Sequence, residues 1–458
     1  MLEILEKAIN KVKNLNYVEL RNSSFETLDI EIKNGEIKDS SSGILGGICI
    51  RVLHNGAWGF AVAKNSELDN IVKAIDYAGK MAKISSTKIQ KKNTLVDVPI
   101  INKTFDAPIK IDLKDVSFEE KLEVFSDAMK FVKQKSSDNL VSSLIKYTER
   151  LEETTFINSE NSTFIRKSQK PGIAVTANVS EAGKIRSMYD GIRKTAGFEF
   201  FNSFIVAEEI EKVYKKAVAF LDATMVKGGV TKVALGTDVV GLLTHEAIGH
   251  TAESDFILGG SFMQGKLNQK IASELVTMVD APFLEDEGGW CPVDDEGVEG
   301  QKVEIIKKGI NTGFMSNRAD AHALNVTSSG NARAYNYDDR PLVRMRNTYI
   351  EAGTMSDEEI LEMVGNGYLI TGSSNGQADS NGEFMFGSQA AEEIKNGEIT
   401  DKKFIGPVIS GNAFDVLKSI DGVGKNVSFK SGMCGKFQPS IVSLGGPMVS
   451  CTVLLGGQ

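Results

Sequence analysis

At 458 residues the chain is longer than one hydrophobic core usually sustains, so two domains, or one large domain with a subdomain, are expected. Its 41% hydrophobic and 25% charged residues are those of a folded globular protein and exclude disordered and fibrous classes. With 52 Lys and Arg against 61 Asp and Glu, a formal charge of -9 and no long basic run, a nucleic-acid partner held through its phosphates is excluded as well.

In chain order, MLEILEKAINKVKNL sets Leu2, Leu5, Ile9 and Val12 at helical spacing among charged residues, and reads as an amphipathic helix rather than a signal peptide. LDIEIKNGEIKD predicts a hairpin turning at Asn34-Gly35, and GGICIRVLHNGAWGFAV a second turning at Asn55-Gly56; both pairs suit type I′ turns. Residues 66–84 carry Leu68, Ile71, Val72, Ile75, Ala78 and Met81 at helical spacing, with Ser66 as N-cap. A similar succession follows. Ser117 and Glu120 form a capping box before Leu122, Phe125, Met129 and Val132, and alternating segments run over 140–179 with a turn near 159–161. A third helical stretch, AEEIEKVYKKAVAFLDAT, leads to a domain boundary between Met225 and Gly229. The expected fold class is α+β: an N-terminal domain of helix-plus-antiparallel-sheet repeats over 1–222 (1–110 and 111–222), then a glycine-rich, β-rich C-terminal domain over 223–458.

No stretch approaches the roughly 18 apolar residues of a membrane span. The four cysteines, Cys49, Cys291, Cys434 and Cys451, show no CxxC spacing, which fits a reducing compartment and a cytoplasmic enzyme.

VALGTDVVGLLTHEAIGHTAESD reads as a short strand ending near Gly236, a cap at Thr237 or Asp238, and a helix bearing His245, Glu246 and His250 in the C-terminal domain. In the common HExxH pattern the histidines sit four residues apart on one helical face. Here they sit five apart, which a regular α-helix turns about 140° away from each other. A π-bulge, or an unwound turn at Gly249, is needed for both imidazoles to face one metal, and such irregularities are common at functional sites. A catalytic zinc takes three protein ligands. Glu253 and Asp255 are possible oxygen ligands, although solvated loop acids are the commoner outcome. A cysteine is the better candidate: Cys49 and Cys451 have the pattern of buried strand residues, whereas Cys434 lies in SGMCGKFQPS, read as a glycine-bounded turn in which Lys436 would favour a thiolate.

Two further segments call for a reading. The glycine-rich stretch 366–387 lacks the lysine and context of a phosphate loop and reads as hairpins, whose edges could accept an extended peptide by β-augmentation. Asp294, Asp295 and Glu296 invite a second-metal reading, but three acids beside a glycine point to an exposed turn.

Taken in order over 245–436, HEAIGH, DDEG, GNARAY, the P..RMRNTYIEAG stretch and CGK resemble the TldD/PmbA family of metallopeptidases, in its metal-bearing TldD-like branch. The N-terminal helix-and-hairpin units are similar too, so the resemblance spans nearly the whole chain. It implies His245, His250 and Cys434 as ligands of Zn²⁺ and Glu246 as the catalytic carboxylate. It also implies a peptidase acting on unfolded or short peptides, as a homodimer or as a heterodimer with a PmbA/TldE-like subunit; that branch lacks the motif and is understood as a non-catalytic partner. Family members often read CGK-x-GQ, whereas this chain reads CGKFQPS, without the second glycine and with Pro439 added. The chemistry implied is metal-assisted hydrolysis with Glu246 as general base. Arg333, Arg344 or Arg346 could stabilise the oxyanion, although each is more often a structural ion-pair partner. Relatives described as modulators of DNA gyrase suggest the alternative of a metal-stabilised regulatory or binding protein, and an amidase acting on a small molecule is a third reading. Glu246 favours the enzyme, because a structural zinc site needs no base.

Overall fold

The structure is a computed structural model that describes residues 1–136, 138–284 and 286–457. Its fold is α+β. Both Asn-Gly pairs make the expected turns, with φ of 55° and 83° at Asn34 and Gly35 and 47° and 84° at Asn55 and Gly56. They join Tyr17–Lys33, Glu36–His54 and Ala57–Ala63 into an antiparallel meander. The helix expected over 66–84 runs from Leu68 to Ser86, and Glu67, not Ser66, stands at its cap without a side-chain bond. The Ser117 box forms as read: Glu120 N donates to Ser117 Oγ at 3.2 Å, and Ser117 N to Glu120 Oε2 at 2.8 Å.

The two N-terminal successions share one eight-stranded sheet, because Tyr17–Lys33 also pairs antiparallel with Leu140–Asn158. Each closes its own core. Ile71, Ile75, Ala78 and Ala82 of the helix Leu68–Ser86 pack with Leu20, Ile50 and Val52. Phe125, Ala128 and Val132 of the helix Phe118–Lys135 pack with Ile145 and Val175, joined by Val206, Ile210 and Val213 of the helix Ser203–Ala219.

The remainder builds an eight-stranded and a six-stranded sheet. Gly229–Leu235 lies inside the first, parallel to Gly367–Ala378 and antiparallel to Val449–Gly456. The chain then enters the helix Thr237–Leu243, which packs against Gly367–Ala378 of one sheet and Gln438–Gly446 of the other. The approach is close: a Cβ on Gly241 would stand 2.5 Å from Leu444 Cδ1.

Residues 294–296 are not an exposed turn. They are at most 2% exposed and join the C-terminal region to the first sheet. Asp295 meets Arg166 at 2.9 Å and Arg21 at 3.5 Å, and Glu296 meets Arg51 at 2.9 Å. Asp294 accepts the N–H groups of Glu296, Val298 and Ala332, which excludes the second-metal reading for it. No described helix is long and apolar enough to cross a membrane.

Candidate metal centre

The helix carrying the motif changes pitch where the spacing demands it. After the α-helix Thr237–Leu243 the chain runs as a π-helix over Thr244–Gly249, then as a 3-10 turn over His250–Ala252. The His250 N–H donates to His245 O, five residues back. In such a ladder residue i+5 stands over residue i, so both imidazoles reach one face. Their ring centroids are 4.8 Å apart and the planes lie at 82°. Gly249 keeps right-handed helical angles, φ -51° and ψ -57°, so unwinding is not its role. It makes room instead: a Cβ there would be 2.2 Å from Met345 Sδ. Neither Thr237 nor Asp238 caps the helix. The Asp238 carboxylate accepts from Gly372 N at 2.9 Å and Ser373 N at 2.7 Å, fastening the strand that passes over the motif.

Cys434 arrives from the strand Ser428–Lys436, paired with Gln438–Gly446, and not from a turn. The turn is Phe437 alone, at φ 59°, with Gln438 following. The Gln438 side chain is fully used: its Oε1 accepts from Tyr335 N and its Nε2 donates to Arg340 O, each at 2.8 Å. Cys434 Sγ lies 3.3 Å from His250 Nε2. Ligand atoms of His245, His250 and Cys434 all fall within 4.8 Å of one another. Two imidazoles and a sulfur form a donor set suited to a borderline-soft cation and not to Mg²⁺ or Ca²⁺. His245 Nδ1 is buried without a hydrogen-bond partner among the described residues. The residues therefore fit a metal.

The electrostatics agree with that fit. Burial would raise the Cys434 pKa, but His245 and His250 outweigh it and hold the thiol at about 4. Burial would lower the His250 pKa, but the Glu253 carboxylate and Cys434 raise it to about 10. Glu253 stands 3.5 Å behind His250 Nδ1. Burial would raise its own pKa, yet Lys436 and His250 hold it down at about 2. Lys436 thus does not serve the thiolate as the sequence suggests. Its Nζ donates to Glu253 and Asp255, both at 2.7 Å, and to Val343 O at 3.0 Å. The two acids are bound to Lys436 and are not free in a loop.

Glu246 is buried at the wall of a cavity of about 680 Å³, which His245, His250 and Cys434 also line. Two strand edges flank it. Past Thr371, the strand Gly367–Ala378 has only Glu383–Lys395 as a ladder partner among the described residues, and Ser428–Lys436 has only Gln438–Gly446. A bulge between Ser373 and Gly376 lays the first strand over the motif, where a Cβ on Gly376 would stand 2.8 Å from Glu246 Cγ.

The three arginines considered for an oxyanion face elsewhere. Arg333 donates to Met345 O and Ile441 O; Arg344 donates to Cys434 O at 2.8 Å and Gln438 O at 2.6 Å. Arg346 is held by Asp280 and by the carbonyls of Gly330 and Gln301. None lines the cavity. Arg344 still matters to the site, because it anchors the main chain of Cys434. The sequence reading missed that role, as it missed Asp238, and the one available signal was a pair of charged residues among apolar neighbours.

Comparison with known proteins supplies the lineage. Residues 228–456 match the model of the PmbA/TldA metallopeptidase C-terminal domain, and residues 18–82 that of PmbA/TldA metallopeptidase domain 1. A metalloprotease of Methanothermobacter thermautotrophicus is 33% identical over 97% of this chain and 96% of its own. A zinc metalloprotease TldD homolog of Saccharolobus solfataricus is 29% identical over 91% of each. Among solved structures, a Thermotoga maritima protein described as a candidate modulator of DNA gyrase superposes with a TM-score of 0.81 at 19% identity over 99% of both chains. TldE from Thermococcus kodakarensis does so at 0.78 and 20% identity, over 99% of this chain and 98% of its own. At those identities the solved structures bear on the fold alone. With a family model over half its length and a relative one-third identical end to end, the chain belongs to the TldD/PmbA family of metallopeptidases.

Proposed function

We propose that the protein is a zinc-dependent peptidase of the TldD-like branch that hydrolyses unfolded or short peptides. His245, His250 and Cys434 hold the metal and Glu246 is the general base. The observation that carries this reading is a carboxylate and three convergent metal donors lining one cavity between two strand edges. Bound there, zinc supplies the Lewis acidity that acidifies water and polarises a carbonyl. Glu246, beside the donors, takes a proton on its carboxylate and returns it to the leaving amine. The free edges at 373–378 and 430–436 hydrogen-bond an extended peptide main chain, a mode that tolerates many sequences and selects against folded substrates. The Glu253 carboxylate orients His250, and Arg344 fixes the main chain of Cys434. Four cysteines without a disulfide accord with a cytoplasmic location. The TldE-like fold relatives accord with assembly as a homodimer, or with a PmbA/TldE-like subunit.

The alternative, a metal-stabilised binding protein of the gyrase-modulator kind, has no use for Glu246 in an open cavity. One variant separates the two. Glu246→Gln is expected to retain its metal while cleavage of an unstructured peptide falls by about 10²–10⁴-fold. Unchanged turnover, measured with and without a candidate partner subunit, would end the peptidase mechanism.

A further inference from the structure

A second cavity, of about 380 Å³, adjoins the first and shares Ser373 and residues 430–433 with it. It opens between the C-terminal strands and the outer strands of the first sheet, and its walls carry an excess of cations. Lys430 pairs with Asp190, which also meets Lys212, and Lys146 pairs with Glu31. Two other cations, Lys216 and Arg193, make no ion pair among the described residues, although the charges of Asp238 and Asp190 act on the first and those of Asp29 and Glu152 on the second. Lys216 Nζ makes no hydrogen bond or ion pair among the described residues, although it is half-buried and stands against Gly372, 2.8 Å from where a Cβ would be. The Arg193 guanidinium donates to the Thr148 hydroxyl at 2.7 Å, and no described carboxylate lies within ion-pair distance. The nearby Asp238 is already occupied by the N–H groups of Gly372 and Ser373. Burial holds both Lys216 and Arg193 below their usual pKa ranges, as expected of cations desolvated without full compensation.

We propose that this second cavity is a carboxylate subsite of the peptide cleft. It receives an Asp or Glu side chain, or the C-terminal carboxylate, of the bound peptide between Lys216 and Arg193. The position follows from the strand that runs through both cavities. Lys430, a wall of both cavities, and Cys434, which lines only the first, are four residues apart on Ser428–Lys436, about 13 Å at the rise of an extended chain. A peptide lying along that edge has the same rise, so its anionic group falls about four residues from the bond held over Glu246. An ammonium and a guanidinium with no carboxylate in ion-pair contact among the described residues supply what a carboxylate needs, and a neutral side chain would leave both desolvated without that contact.

The inference rests on the peptidase reading for the path of the peptide, so it is tested by binding rather than turnover. The zinc-loaded Glu246→Gln protein is titrated with a labelled, unstructured alanine-serine peptide carrying a single internal glutamate, and with its glutamine isostere, each with a free or an amidated C-terminus. The acidic forms are expected to bind about tenfold more tightly than the glutamine amide. A gain confined to the free C-terminus assigns the subsite to the terminal carboxylate, and a gain with internal glutamate assigns it to a side chain. Adding Lys216→Met, which breaks no hydrogen bond, should remove most of that preference while the affinity for the neutral amide stays within about twofold; Arg193→Gln is the second variant. Equal affinity for all four peptides, or a preference that survives both substitutions at unchanged Tm, would overturn the proposal. If the parent enzyme shows the binding preference but no turnover, the subsite stands and the peptidase reading falls. Turnover without the preference has the opposite meaning.

Discussion

The Cys434 sulfur sits where three influences oppose one another. Burial disfavours a thiolate, while the imidazoles of His245 and His250 favour it strongly enough to bring the pKa to about 4. In the metal-free protein the sulfur and His250 therefore form a thiolate–imidazolium pair, with the Glu253–Lys436 pair behind the ring. A divalent cation held as proposed would take the place of the imidazolium proton, so its binding would release that proton. Removing the sulfur leaves two imidazoles and no anion at the centre. Cys434→Ala should lower metal affinity by at least about a hundredfold, read as metal content after dialysis against a weak chelator. Full occupancy would send the third ligand elsewhere. Glu253 and Asp255 would be poor substitutes, since freeing either from Lys436 would leave that ammonium buried and short of partners.

Among the elements, the π-helix Thr244–Gly249 is the one that brings the two imidazoles together. An α-helical ladder would aim His245 and His250 about 140° apart, so the wider turn is what makes the pair usable. It is held against a neighbour that tolerates no side chain at 249. Met345 is fully buried, and its sulfur occupies the space of a Gly249 Cβ. Gly249→Ala should accordingly cost about 1–3 kcal/mol and reduce metal content together with stability. Met345→Ala in the same background should recover part of the loss despite the void it opens, so a double-mutant cycle by chemical denaturation would show positive coupling. Strictly additive losses would mean that the turn does not depend on this contact. The stretches 373–378 and 428–436 beside the motif make a comparable point: among the described residues each has a ladder partner on one side only, and such edges are ordinarily blunted or covered.

For the molecule as a whole, the acids at 294–296 tie the C-terminal sheets to the N-terminal one through Arg21, Arg51 and Arg166. Asp295 is the centre of that tie, and the two arginines, against the opposing effect of burial, keep its carboxyl below the usual range. Asp295→Ala would leave two buried guanidinium groups without their anion, a loss of about 3 kcal/mol or more. Because the loss falls between the sheets and not within either, calorimetry is expected to split one unfolding transition into two. A single transition at unchanged temperature would show that the apolar cores alone couple them. What the sequence by itself determined was local: the Asn-Gly turns, the Ser117 box, the helical faces and the need for a distorted turn between His245 and His250. Each of these is written in φ preferences or in spacing along one element. What only the tertiary structure decided was which distant groups meet. Cys434 lies 184 residues from His250 and approaches it from a strand, the three arginines turn to main-chain carbonyls, and residues 294–296 are buried. Sheet register and the packing of one sheet on another set those encounters, and a pattern within a single segment carries no signal of them.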